Sequence, residues 1–575
     1  MTRRCWTRAL LTLALAGAVV APPGAAVAAP GDFDPAFGTA GVATAPPSGT
    51  LPFTGANSLA IDTAGRIVAA GSAYDTATSQ WVFTVHRFLP TGAIDEGFGT
   101  DGLAIVPVTS GWTINTVTGV GIQPDGRIVL GARVYPTATP DSGKYGVVRL
   151  TSAGILDLDF DGGVAANGIL MLTVGPPTGS DVERRLTVDE TGRILISGGT
   201  YYTGPTQARA TMARLDVDGT FDETFSGDGK FDLLLPTSDS DLQAFADLPG
   251  STGYAIGGRT IPNTGPTIGQ PTIIRISEGG ELVEGFGSEL SSTPGRSTTR
   301  WQGDPTKLAE IYALVGLPGG GLLAGGYQNP GSAALAKYTA TGGLDPSFGV
   351  GGVKLLQLGG GASMVNELTL QPDGKIVAAM SGTDANHGFV ARFRANGALD
   401  PTFGTAGSVE IGPVGGADAM SLQDDGKVVA VARRGLPDTT LVRLLGDPRP
   451  PAPPSVAVTS PAGTKVKAKK LKALAGTAGP VGSVARVRVA LQRVDKALLR
   501  EDNRCLWLTN HRATFKKVKA TQKKCTKPLY RKARGAAAWK YALRKRLEKG
   551  KYVLYAQVRL DDGRTAMVRK RFRVT

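Results

Sequence analysis

The sequence predicts an all-β protein: a seven-bladed β-propeller followed by a small basic β-sandwich. Three recurring signals carry the first part. A turn phrase of the form L-D-P-x-F-G returns seven times, a hairpin with a glycine turn returns with it, and each copy adds a strand with one basic residue near its middle. Repeats at a spacing of this order bury their apolar faces only against their neighbours, as in solenoids and propellers. Charge sets off the second part, since residues 451–575 hold 33 Lys and Arg against 6 Asp and Glu, while the rest of the chain holds 30 against 42. Its short β-like runs at Val456 to Thr459, Val484 to Gln492, Tyr552 to Leu560 and Met567 to Val574 read as a sandwich. Such asymmetry marks two domains with different partners, or two that attract one another.

The 575 residues divide in order into a signal peptide at 1–28, the propeller at 29–447, a Pro-rich linker at 448–454 and the basic domain at 455–575. Arg3, Arg4 and Arg8 precede an apolar run from Ala9 to Val20, and Ala26-Val27-Ala28 offers a small-residue cleavage site. The run is too short for a membrane span, so the expectation is cleavage and a secreted product with no transmembrane segment. Cys5 leaves with this segment. Cys505 and Cys525 remain, and two thiols in an exported chain are expected to pair.

The turn phrases read FDPAFG at Phe33, IDEGFG at Ile94, LDLDFD at Leu156, FDETFS at Phe221, LVEGFG at Leu282, LDPSFG at Leu344 and LDPTFG at Leu399, with their phenylalanines 55 to 65 residues apart. Asp followed by Pro suits a type I turn and places the Phe to plug a core. Alternating apolar runs flank Gly65, Gly126, Gly192, Gly374 and Gly426, with looser versions at Gly253 and Gly320. Glycine there supplies the positive φ of a tight hairpin. Seven short-strand units with almost no helical periodicity favour a ring, which leaves no long free edge.

The basic residues Arg87, Arg149, Arg214, Arg275, Lys337, Arg392 and Arg443 occupy equivalent places among apolar neighbours. A charge so placed needs a partner. The expected one is the turn-phrase aspartate about eight residues on, as at Asp95, Asp222, Asp345 and Asp400. Seven copies argue for structure, since a catalytic group is needed once per site.

These phrases resemble the delta-60 repeat β-propeller family of secreted bacterial proteins, most closely at Leu344 to Gly349, Leu368 to Val377 and Leu399 to Gly404. The match is looser at Leu282, where Val283 replaces the aspartate. The resemblance implies a propeller fold and no particular chemistry.

Function is sought where the units differ. The longest departure, Gly287 to Ile311, contains Trp301, Asp304 and Lys307. Trp301 and Asp304 are candidate ligand-binding residues, Trp301 either stacking on a sugar or plugging the ring. No catalytic residues, metal site or cofactor are expected. The propeller holds only His86 and His387 and, after export, no cysteine. Asp157, Asp159 and Asp161 resemble the start of a calcium loop, but Gly168 stands where its closing Glu belongs.

In the basic domain, SVAVTSPAGTKV from Ser455 and LEKGKYVLYAQVRLDDGR from Leu547 resemble bacterial immunoglobulin-like domains. Lys516, Lys517, Lys519, Lys523 and Lys524, with Arg544, Lys545 and Arg546, are the expected polyanion-binding residues. The partners expected are an anionic envelope polymer or surface and an unidentified propeller ligand. Nucleic acid is disfavoured because no known module accompanies the charge. The composite expectation is a secreted, non-enzymatic binding or scaffold protein, free outside the cell or associated with the cell wall. The alternative is a glycan-active propeller enzyme using acidic residues.

Overall fold

The computed structural model describes residues 28–575 apart from 161–167, 202–207, 236, 251, 263–267, 288–293, 305, 359–362, 383–386, 413–415, 433–437, 448–453, 480–483, 521–524, 526–527, 536–537 and 562. The segments expected to be signal peptide and linker, 1–28 and 448–454, therefore fall almost wholly outside the described residues, as do Lys523, Lys524 and Asp161. The chain forms two compact units, Met1–Pro448 and Arg449–Thr575.

The first unit is all-β and, among the described residues, consists of seven four-stranded antiparallel sheets. Their first strands are Ala56–Ile61, Trp112–Ile122, Ser180–Val188, Thr237–Asp247, Ala309–Gly316, Ser363–Leu370 and Ala417–Leu422. Each adjoins the next and the last adjoins the first, which makes them the inner wall of a closed ring. This is the architecture of a β-propeller. Six sheets are consecutive in sequence, whereas the seventh takes its fourth strand, Val42–Ala45, from the N-terminus, pairing it with Thr439–Leu444.

The local reasons are those of the repeat. All seven hairpin glycines have positive φ, from +78° at Gly65 to +101° at Gly253. All seven turn-phrase phenylalanines are buried between sheets. A Cβ at Gly92 would lie 2.9 Å from the Phe37 ring, so the glycine is needed where the following sheet covers that ring. The backbone repeats the joint, as Gly38 N donates to Thr91 O at 2.7 Å and Gly404 N to Pro30 O at 2.9 Å.

The second unit contains a three-stranded sheet, Ser455–Ser460, Ala473–Gly479 and Ala538–Ala542, and a larger one centred on Val484–Arg493, Gly550–Leu560 and Thr565–Val574. Leu474, Trp539 and Tyr541 of the first pack against Val487, Leu491, Leu554 and Phe572 of the second. The alternation in Val484–Arg493 sends Val487, Val489 and Leu491 inward and Arg486 and Arg488 outward. Cys505 and Cys525 are bonded, with Cα atoms 5.8 Å apart, over a second apolar cluster that includes Trp507 and Tyr555. One short helix, Lys496–Glu501, departs from the expected all-β pattern and is capped by Asp495, whose Oδ1 accepts from Leu498 N at 3.0 Å.

Candidate functional site

The repeated basic residues are structural joints. Nε of Arg87, Arg149, Arg214, Arg392 and Arg443 donates to Oδ2 of Asp95, Asp157, Asp222, Asp400 and Asp34 at 2.7 to 2.9 Å. Lys337 pairs with Asp345 at 2.9 Å. Each of the five guanidiniums also lies over a turn-phrase ring, 4.4 to 4.9 Å from its centroid. All five reach the next sheet: Ser152, Val217, Glu278 and Pro90 accept from four of them through their carbonyl oxygens, and Asp447 Oδ1 lies 3.0 Å from Arg392 Nη2. The cation after the hairpin glycine joins several of these carboxylates, as Arg127 does at Asp157 (2.9 Å), Lys375 at Asp400 (3.5 Å) and Lys427 at Asp34 (3.3 Å). Sequence reasoning missed that second cation, although the G-R/K-I phrase carried it.

Arg275 is the exception. With Val283 in place of aspartate, its Nη1 donates to Gly320 O at 3.0 Å and its buried Nε has no partner among the described residues. Burial holds its pKa below the usual guanidinium value.

The inner wall of the ring is polar. Every first strand breaks register once or more in its pairing with the second, and these bulges turn polar side chains toward their neighbours around the ring. Asn57 Nδ2 donates to Thr116 Oγ1 at 2.6 Å, Arg184 pairs with Asp241 at 2.7 Å, and Gln243 Nε2 donates to Glu310 Oε1 at 2.8 Å. Arg185 of the third sheet pairs with Glu367 of the sixth, so an ion pair bridges the centre. Burial pushes the Glu183 carboxyl up to about 8, where it receives a hydrogen bond from Thr118 Oγ1 at 2.5 Å. Burial also raises Glu310 above the usual carboxylate range, against the opposing pull of Arg259.

Trp301 does not line a binding surface. It sits on a single 3-10 turn, Trp301–Gly303, is 1 % exposed, and donates from Nε1 to Tyr338 Oη at 3.0 Å. Its ring is a plug between the fourth and fifth sheets, with no free face for a sugar. Asp304 is half-buried and accepts from Thr306 N at 2.8 Å, closing its own turn. The structure brings the two together only in sequence.

The second unit carries basic clefts. One, of about 740 Å³, is lined by Arg486, His511, Lys532, Arg534, Lys540 and Arg544 among others. A smaller one, of about 180 Å³, is lined by Arg486, Arg488, Gln557, Arg559 and Thr565. No carboxylate lines either among the described residues. Of the sequence-predicted cations among the described residues, only Arg544 lines these clefts. Lys516, Lys517 and Lys519 lie exposed on Phe515–Lys519, while Lys545 and Arg546 are exposed beside Arg544. A third cleft, of about 710 Å³, has Val494, Leu499 and Val553 among its apolar lining and Arg569, Arg571 and Arg573 among its basic lining.

Comparison with known proteins bears on the first unit. Residues 191–225 and 371–403 match a family model described as a domain of unknown function (DUF5122) beta-propeller. No sequence among the curated proteins matches. Among solved structures, the chain is similar to the beta-propeller domain of the Trilobed protease from Pyrococcus furiosus, at 10% identity over 69% of this chain and 95% of that one, with a TM-score of 0.35. It is also similar to an alpha-L-arabinanase of Penicillium chrysogenum complexed with arabinobiose, at 11% identity over 70% and 96%, TM-score 0.36. A third is the calcium-binding protein regucalcin of Agrobacterium tumefaciens, at 10% identity over 70% and 96%, TM-score 0.28.

Proposed function

We propose that the chain is a secreted, non-enzymatic binding or scaffold protein. A seven-bladed propeller of delta-60-like repeats presents the ligand or partner surface, and an immunoglobulin-like basic domain contacts an anionic polymer or surface of the cell envelope. The observation that carries this reading is the pair of clefts in the second unit, lined by Arg486, Arg534, Arg559 and their neighbours with no carboxylate among the described lining residues. Cations gathered at one place repel one another, and an anion removes that penalty. The disulfide fits an oxidising compartment, and no helix among the described residues is long and apolar enough to cross a membrane.

The test is co-sedimentation of the protein with purified envelopes at rising salt. The wild type should pellet at low ionic strength and be released as salt screens the contact. A variant carrying Arg486→Gln, Arg534→Gln and Arg544→Gln should remain in the supernatant. Equal pelleting of the two proteins, insensitive to salt, would falsify the role given to the basic unit.

The glycan-active alternative calls for carboxylates free to exchange protons. In the ring, Asp241, Glu310 and Glu367 are engaged by Arg184, Arg259 and Arg185, and Glu183, the raised carboxyl with no arginine paired to it among the described residues, is buried against Thr118, which supports a structural belt better than a catalytic pair. Release of reducing ends from envelope polysaccharide by the wild type but not by Glu310→Gln would favour the enzyme.

A further inference from the structure

Arg486 and Arg559 stand directly opposite each other in the register of Val484–Arg493 with Gly550–Leu560. Arg488 lies on the same outer face, opposite Gln557 on one side and Lys532 on the other. Like charges at facing positions of a sheet destabilise it, and the repulsion is felt here: Arg488, then burial and Arg559, hold the Arg486 pKa below its usual value. Gln557 and Thr565 complete the small cleft with neutral donors. The result is three guanidinium forks and two neutral groups around one space, a set that fits a tetrahedral oxyanion better than a single carboxylate.

Arg486 also lines the larger cleft, with Lys532, Arg534, Lys540 and Arg544. Two anionic groups joined by a short linker can therefore be held at once, one on each side of Arg486. We propose that the two clefts form one track for a phosphodiester polymer, with one phosphate seated among Arg486, Arg488 and Arg559 and the next among Arg534, Lys540 and Arg544. This rests on the envelope-binding reading above and names the chemistry that the basic unit selects.

Calorimetric titration of the full chain with a short poly(glycerol phosphate), with inorganic phosphate and with phosphatidylglycerol vesicles tests it. The polymer should bind at least roughly tenfold more tightly than inorganic phosphate, since two joined groups occupy the track together. Arg488→Gln and Arg534→Gln should each weaken the polymer about tenfold, whereas Lys516→Gln, outside both clefts, should change it less than about twofold. Arg488→Lys, which keeps the charge and loses the fork, should behave more like Arg488→Gln than like the wild type. These side chains are solvent-accessible, and circular dichroism verifies the fold of each variant. Should one fail to fold, the other cleft's variant decides.

Polymer binding that all three glutamine substitutions weaken equally overturns the track and leaves the envelope reading standing. Vesicle binding that depends on Arg488 while polymer binding does not overturns the polymer as the occupant. Failure of the wild type to bind any of the three probes, with envelopes still pelleting it, overturns the phosphate chemistry; failure to pellet as well overturns the envelope reading.

Discussion

Arg443 Nε donates to Asp34 Oδ2 at 2.8 Å, a pairing that spans 409 positions of sequence. The same joint links Arg392 to Asp400 over eight positions. The ring thus closes on itself with the chemistry that it uses inside each repeat, the phenylalanine being Phe37 in one case and Phe403 in the other.

Both partners of the closing pair are buried, so breaking it strands a charge. Arg443→Ala is expected to destabilise the propeller by about 3–5 kcal/mol. Arg392→Ala should cost a similar amount. Denaturant unfolding of the full chain checks both, and an unchanged midpoint would show the joint to be dispensable.

Arg275 offers the converse experiment. The backbone around it matches the other copies, since Val283 N donates to Arg275 O at 3.1 Å as Asp400 N does to Arg392 O at 2.8 Å. Val283→Asp therefore places a carboxylate within reach of a buried Nε that has no partner among the described residues. We expect a gain of about 1–3 kcal/mol, the usual worth of satisfying such a group. A loss in thermal stability would mean that the aspartate cannot adopt the rotamer of its counterparts.

Two buried groups give opposite pH dependences. Glu183 titrates at about 8 in the fold, against an ordinary value of 4.5. Its contribution is fully present below the lower value and is lost as pH rises toward the upper one, at about 1.4 kcal/mol per pH unit. Glu183→Gln should remove that slope and be more stable than the wild type at about pH 8. His86, lowered by burial from 6.5 to about 4, acts in the other direction, its contribution being present above the first value and lost as pH falls to the second. Unfolding midpoints across this pH range read both slopes.

The bond between Cys505 and Cys525 closes a sequence separation of 20. Cys525→Ser is expected to destabilise the second unit by about 3 kcal/mol in the chain-entropy account. Denaturation with and without reductant should bring the wild type to the level of the variant, and a reductant-insensitive midpoint would count against a stabilising bond.

What could be read in advance follows from distance along the chain. Asp400 lies eight residues after Arg392, inside one strand and its turn, so the pair follows from local geometry. Asp34 lies 409 positions from Arg443, and only the exchange of Val42–Ala45 into the seventh sheet reveals the match. The inner wall was hidden for another reason: bulges such as that between Glu183 and Arg185 break the alternation by which a strand's faces are read. Lys516 and its neighbours were visible as a run, whereas Arg486 and Arg559 become neighbours only through the register of their two strands. Trp301 stood out as an aromatic on an insertion, but its fate turned on Tyr338, 37 positions away.

The exchange that completes the seventh sheet also sets an order in time. Val42–Ala45 is among the first strands to be synthesised, and Thr439–Leu444, its partner, is the last of the ring. Until that partner emerges the early strand has an unsatisfied edge, open to any other chain that offers one. A nascent chain halted midway is therefore a sticky fragment and not a smaller propeller. The ring cannot close before its last strand has been made.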